Sequence, residues 1–270
     1  MQSSLALIIS KNPRLLRYAR TLTAVLVVVA ISILLTTTSL RFAINQPRLY
    51  EYGFDKYNIS QRTGITEAEL TRIARHIIDY FNSDEEHIYI RATIFGEETD
   101  LFKPREEDAR EIDHMRDVKG LVQGVYMWQW ITLGFVLAYG FAYWLWMRRG
   151  ALPLLAKTLV WGGVFTIASI AIIGLASLVG FDAVFLKFHQ IGFSNDFWQL
   201  DPQVHNLIAM FPQDFFLDAT LFVALMTIAE ALLLIAVGGG YLWWRHRGRE
   251  RARRKAEEGA SLVGSQASLP

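Results

Sequence analysis

The sequence predicts a membrane protein that is mainly α-helical, with four transmembrane helices and a small extracytoplasmic α+β insert. Three observations carry that expectation. Apolar runs at 21–41, 125–147, 154–180 and 217–244 are each long enough to cross a hydrocarbon core of roughly 30 Å at about 1.5 Å per residue. The segment 42–124 is polar by contrast and mixes helical with alternating periodicity. Charges of opposite sign are segregated along the 270 residues, although the net charge is only +1.

Composition agrees with an anchored polar domain. The chain is 52% hydrophobic and 20% charged, and its mean hydropathy is +0.24, too apolar for a water-soluble domain and too charged for one wholly in lipid. Cysteine is absent, which excludes disulfides, a thiol nucleophile, thiolate metal sites and lipid attached to the chain's own cysteine.

Taken in order, residues 1–20 form a basic cytoplasmic N-terminus with Lys11, Arg14, Arg17 and Arg20. The run at 21–41 is long for a cleaved signal and is read as a retained helix. In the insert, Thr66 and Glu69 predict a capping box. Leu70, Ile73, Ala74, Ile77, Ile78 and Phe81 then recur on one helical face. His87 to Ile90 alternates like a strand, Gly96 reads as a turn and Leu101-Phe102 as the return strand. Pro104 suits a first helical turn, and a charged helix through Ile112, Met115 and Val118 follows.

The remaining runs are joined by a short basic loop, 148–153, and by an aromatic loop, 181–216. A basic tail, 245–270, closes the chain and from Ala256 onward is small and polar with little to bury, which predicts disorder there. The cations of the N-terminus, of Arg148, Arg149 and Lys157, and of the Arg245–Lys255 cluster fall on one side of a four-span topology. By the positive-inside rule both termini are cytoplasmic, and the insert and the aromatic loop face outward. Trp128, Trp130, Trp144, Trp146, Trp243 and Trp244 mark the span ends as an interfacial belt. The basic tail fits anionic lipid better than nucleic acid.

No zinc-protease helix, phosphate-binding glycine loop or nucleophile elbow is present. The Gly238-Gly239-Gly240 run fits close helix packing inside a span. Glu230 lies mid-span, where a charge costs roughly 2.5–3.5 kcal/mol, so it is expected to face the protein interior. Two histidines stand out. His114 has Asp117 at i+3 and Arg110 at i−4 on its helical face, and a carboxylate there can orient the ring. His189 precedes Asn195, Asp196, Trp198 and Asp201 in the aromatic loop. Both fall at the outer face beside a span end, so they are expected to converge. Such a pair suits general acid–base chemistry near neutral pH. It also suits zinc, with a third ligand from Asp113, Asp117, Asp196 or His205. A purely anchoring loop that binds lipid or protein is the non-catalytic alternative. His76, His87 and His246 are expected to be exposed or structural.

The composite pattern resembles the bacterial lipoprotein intramolecular transacylase family. It comprises His-Met-Arg-Asp-Val before the second span, and Phe-His-x-x-x-Phe-x-Asn-Asp-x-Trp-x-Leu-Asp-Pro after the third. Leu207-Ile208 and Phe211-Pro212-x-x-Phe215-Phe216 follow. The resemblance covers nearly everything from first to fourth span, while the tail after Trp244 is longer than the family pattern. It implies a cofactor-free acyltransferase in the cell membrane whose substrates are diacylglyceryl-modified lipoproteins. One ester-linked acyl chain would move to the substrate's own N-terminal amine. His114 and His189 take the places of the family's two essential histidines, with Asp117, Asn195, Asp196, Trp198 and Asp201 in support.

Overall fold

The computed structural model of the protein describes residues 13–102, 109–147 and 150–267. Four long helices dominate: α1 (Pro13–Ile44), α5 (Arg110–Met147), α6 (Ala151–Gly192) and α8 (Gln213–Ala267). Each contains a stretch apolar enough to cross a membrane. Between α1 and α5 lie α2 (Pro47–Lys56), α3 (Ile59–Thr63), α4 (Glu67–Phe81) and a hairpin of β1 (Arg91–Ile94) and β2 (Glu97–Asp100). A short α7 (Asn206–Met210) stands between α6 and α8. The spans are therefore longer as helices than as apolar runs. The charged helix expected before the second span is the first part of α5 itself. Segment 181–192, expected as loop, is helical beyond an interruption at Gly180.

The chain divides into two compact units. One comprises the described residues of Ile33–Thr132 and Ala168–Ile228. Its core is built on the apolar face of α4, where Leu70, Ile73, Ala74 and Ile77 are all but inaccessible. Tyr50 and Phe54 of α2, Phe211 and Phe215 join them in one cluster. Thr66 caps α4 by accepting from the Glu69 N–H at 3.4 Å. The reciprocal half of the expected box does not form. Glu69 instead accepts from Arg72 at 2.6 Å and from the Thr93 N–H at 3.3 Å. Its carboxylate thus ties helix to hairpin rather than closing the cap.

The hairpin is shifted from its expected place. Ile88 and Ile90 are buried, so the alternation at 87–90 is real; the regular ladder starts at Arg91, and the Leu101 N–H donating to the Ile90 carbonyl at 2.8 Å carries its register one residue further. Leu101 and Phe102, expected as the return strand, follow β2 as buried anchors. The turn is as expected at Gly96. Phe95 and Gly96 both have positive φ, 50° and 86°, which gives the two-residue turn whose twist matches a hairpin. Pro104 lies outside the described residues.

The second unit holds the described residues of Met1–Ser32, Leu133–Ile167 and Ala229–Pro270. Its helices approach through glycine: a Cβ on Gly163 would stand 2.7 Å from the Ala231 carbonyl, and one on Gly238 2.6 Å from that of Ala156. This is the close packing that small residues permit in lipid. Only Gly238 of the triple-glycine run performs it; Gly239 and Gly240 meet nothing nearby. Glu230 is half-buried, with its Oε2 atom shielded. Large apolar side chains such as Leu137, Phe141, Trp161, Leu233 and Val237 are more than half exposed, as lipid-facing surfaces require. The tail departs from expectation, because α8 runs on through Ala267. Bonds at i,i+4 support it, Glu250 with His246 at 3.1 Å and Arg253 to Glu257 at 2.8 Å.

Candidate acid–base site

Two helix ends in the first unit carry the expected pair. Arg110 to Lys119 hold six charges and cannot enter hydrocarbon, so the first turns of α5, with His114, lie outside its apolar part. His189 occupies the last turn of α6. The two ring centroids are 6.1 Å apart with planes inclined by 28°, and each histidine is only 8% exposed.

Aromatic rings do the shielding. Phe193 stands edge-on to His114 at 4.9 Å. Phe185, Trp198 and Phe188 surround His189 at 4.3, 5.2 and 5.4 Å. In so apolar a setting the charged form of an imidazole is disfavoured. Burial, and secondarily the neighbouring His189, push His114 down to about 4 against the pull of Asp117. Burial also lowers His189, with the Phe185 carbonyl acting in the opposite direction. Both rings are neutral near pH 7.

Hydrogen bonding distinguishes them. His189 Nδ1 lies 2.8 Å from the Phe185 carbonyl oxygen, which can only accept. That bond places the proton on Nδ1 and leaves the lone pair on Nε2. His114 Nδ1 is buried with no hydrogen-bond partner among the described residues.

The other expected residues separate into two groups. Asn195 donates from Nδ2 to Asp117 at 2.8 Å, joining the loop to α5 one turn beyond His114. Asp117 therefore acts on His114 through space and not by the direct bond its spacing suggested. Trp198 packs on His189, so Asp117, Asn195 and Trp198 all belong to the cluster. Asp196 and Asp201 are exposed and shape the loop. Asp196 accepts from Gln199 at 3.2 Å, and Asp201 from the Gln203 N–H at 2.9 Å. His205 is buried in the same turn, its Nδ1 accepting from the Asp201 N–H at 2.9 Å. Asp113 pairs with Arg116. No three His, Asp or Glu side chains come together in a metal-holding group among the described residues, so the third zinc ligand has no candidate there. His87 is not in a strand; its Nε2 lies 3.5 Å from Arg116 Nη1.

Sequence reasoning missed two contributors, Phe185 and Glu111, and one contact of Arg110, a residue it had placed on the face of His114. Phe185 supplies both a ring and the carbonyl that fixes a tautomer. Arg110 donates to the Asp196 carbonyl at 3.2 Å, and buried Glu111 accepts from the Leu207 N–H at 2.6 Å. Phe185 was discoverable, since it lies one helical turn before His189; the two long-range bonds leave no local signal.

Four apolar spans, with a shielded imidazole pair at the ends of two of the helices, define a multi-pass integral membrane protein. The chain belongs to the lipoprotein intramolecular transacylase Lit family, a family of acyltransferases, which it matches over residues 25–216. Among solved structures it is similar to membrane-integral Lit from Bacillus cereus, with a TM-score of 0.66 at 20% identity over 87% of this chain and 99% of that one. A histidine-to-arginine variant of the same protein gives 0.69 at 20% identity, over 89% and 99%. At such identity the likeness establishes the fold. An uncharacterized protein from Aquifex aeolicus is 26% identical over 48% of this chain, and the match spans 55% of that relative.

Proposed function

We propose that this protein moves an ester-linked acyl chain of a diacylglyceryl-cysteine lipoprotein onto the lipoprotein's own N-terminal amine, giving the lyso form. The reaction would take place at the outer leaflet, with both termini cytoplasmic. The observation that carries the reading is the neutral imidazole pair, 6.1 Å between centroids, under an aromatic cover. Family membership supplies the reaction class.

The chemistry divides between the two rings. The substrate ammonium, with a reference pKa near 8, first gives up one proton. The free amine then attacks the ester carbonyl, and the nitrogen sheds a second proton as the N–C bond forms. His189 Nε2 is the base for that step, because its only N–H is already committed to Phe185. The oxyanion needs a donor that His189 cannot be, so the role falls to an N–H of His114, whose Nδ1 has no protein partner. Collapse breaks the ester C–O bond, and the proton held on His189 goes to the departing glyceryl oxygen. Amine and ester belong to one molecule, so positioning supplies much of the rate and no protein nucleophile is required.

Mass spectrometry of a lipoprotein N-terminus, in a host lacking its own enzyme, tests this. Native protein should shift one acyl chain from glycerol to nitrogen. His189→Ala should lower the rate by about 10²–10⁴-fold and His114→Ala by about 10²–10³-fold, at unchanged protein level. Native rates in either variant would refute the assignment.

A further inference from the structure

Gly180 breaks α6 with φ −169° and ψ 77°, and Phe181 to Gly192 continue as a separate helical segment. Three faces can be distinguished around it. Phe185 and His189 turn inward, Phe185 also meeting the Phe216 ring at 5.4 Å. Ala183, Leu186, Lys187 and Gln190 are exposed, Leu186 at 46%, with Lys187 donating to Gln190 at 3.2 Å. The third face carries Phe181, Val184, Phe188 and Ile191, at i, i+3, i+7 and i+10, an apolar strip along one side of the helix. Phe188 is 54% exposed and Ile191 82%, the highest value among the exposed large hydrophobic residues.

We propose that this segment lies in the headgroup region of the leaflet nearest Gly180, its strip among lipid acyl chains and Lys187 and Gln190 in water. Continuity along the chain selects lipid as the occupant. Ile172, Ile173 and Leu175, just before the break, are 70%, 55% and 64% exposed, and the helix up to Ser177 is long and apolar enough to span. Exposed hydrocarbon therefore passes from the span onto the strip with only a few residues between. One polar and one apolar face with moderate overall hydrophobicity is the pattern of a helix that lies in the interface plane. The strip also borders the imidazoles, since the Phe188 ring stands 5.4 Å from His189 and 6.3 Å from Phe193. On the acyl-transfer reading, the ester then reaches His189 from the membrane side, past Phe188.

The absence of cysteine makes the test clean. Ile191→Cys and Lys187→Cys, each in the full chain and carrying a polarity-sensitive fluorophore, are placed in nanodiscs of phosphatidylethanolamine and phosphatidylglycerol. Nitroxide-bearing lipid chains should quench the probe at 191 several-fold more strongly than the probe at 187, and aqueous iodide should show the reverse order. Equal iodide quenching at both positions would place the strip in water and overturn the proposal. Shielding of position 191 from both quenchers would mean protein covers it, as in a second copy of the chain, and would overturn it equally. No turnover is required, so this result and the fate of the acyl-transfer reading remain separable.

Discussion

The surroundings of His114 couple its protonation to the stability of the fold. The fold holds it neutral, at about 4, whereas an unfolded chain binds that proton near 6.5. As pH falls below 6.5 the unfolded state therefore takes up the proton first, and stability declines until about pH 4, below which both states are charged. The full loss is about 3 kcal/mol at 1.36 kcal/mol per unit. Thermal unfolding of His114→Gln should show a flatter pH dependence between 6.5 and 4 than the native protein. An equally steep slope would trace the acid sensitivity to another group. The lowered His189 has a kinetic consequence. It remains a base as pH drops through 6.5, so the rate loss due to its own protonation should set in below that value, after the loss from protonation of the substrate amine near 8.

Among the elements, contacts between distant parts of the chain set the geometry. The Asn195–Asp117 bond joins loop to helix, and a hydrogen bond to a charged group is worth about 1.5–3 kcal/mol. Asn195→Ala should cost about that much in stability and lower the rate, since the loop also carries Trp198 and Phe193. Asn195→Asp should cost more, because two carboxylates then meet. Gly53 of α2 admits the Phe215 ring so closely that a Cβ would stand 2.3 Å from it. Phe215 is held in turn by Tyr50 and Phe211 at 6.2 and 5.3 Å. Gly53→Ala should therefore destabilise by about 1–3 kcal/mol, measured as a lower melting temperature in detergent. Sequence carried the helices well, because apolar periodicity reports burial directly, as α4 shows. It set the hairpin a few residues early for the same reason: Ile88 and Ile90 alternate because they are buried, and of that run it is Ile90, accepting from the Leu101 N–H, that continues the register of the ladder. It also stopped the third span at Gly180 and missed the helix beyond, where amphipathic spacing was present but short.

For the molecule as a whole, spans and site residues were legible to different depths. The four apolar runs needed only length and composition. Convergence of His114 with His189 was expected from topology, because the positive-inside rule assigns the neighbouring ends of both apolar runs to one side. What each ring can do was not legible, because it depends on the Phe185 carbonyl and on an unpartnered nitrogen, which are properties of assembled structure. Sidedness rests on charge. A reporter active only outside the cytoplasm should work when inserted at 103–108 and be silent when fused after Trp244. The opposite pattern would invert the topology.

Helix α5 bears both His114 and, eleven residues further on, the start of its apolar run near Val125. At 1.5 Å and 100° per residue that interval is about 16 Å and three turns. Chain register on this rod therefore fixes how far along the helix axis the imidazole stands from the apolar run, so a change in leaflet thickness moves the lipid ester relative to His114. Host lipids with longer or shorter tails should tune turnover without touching a single residue of the site.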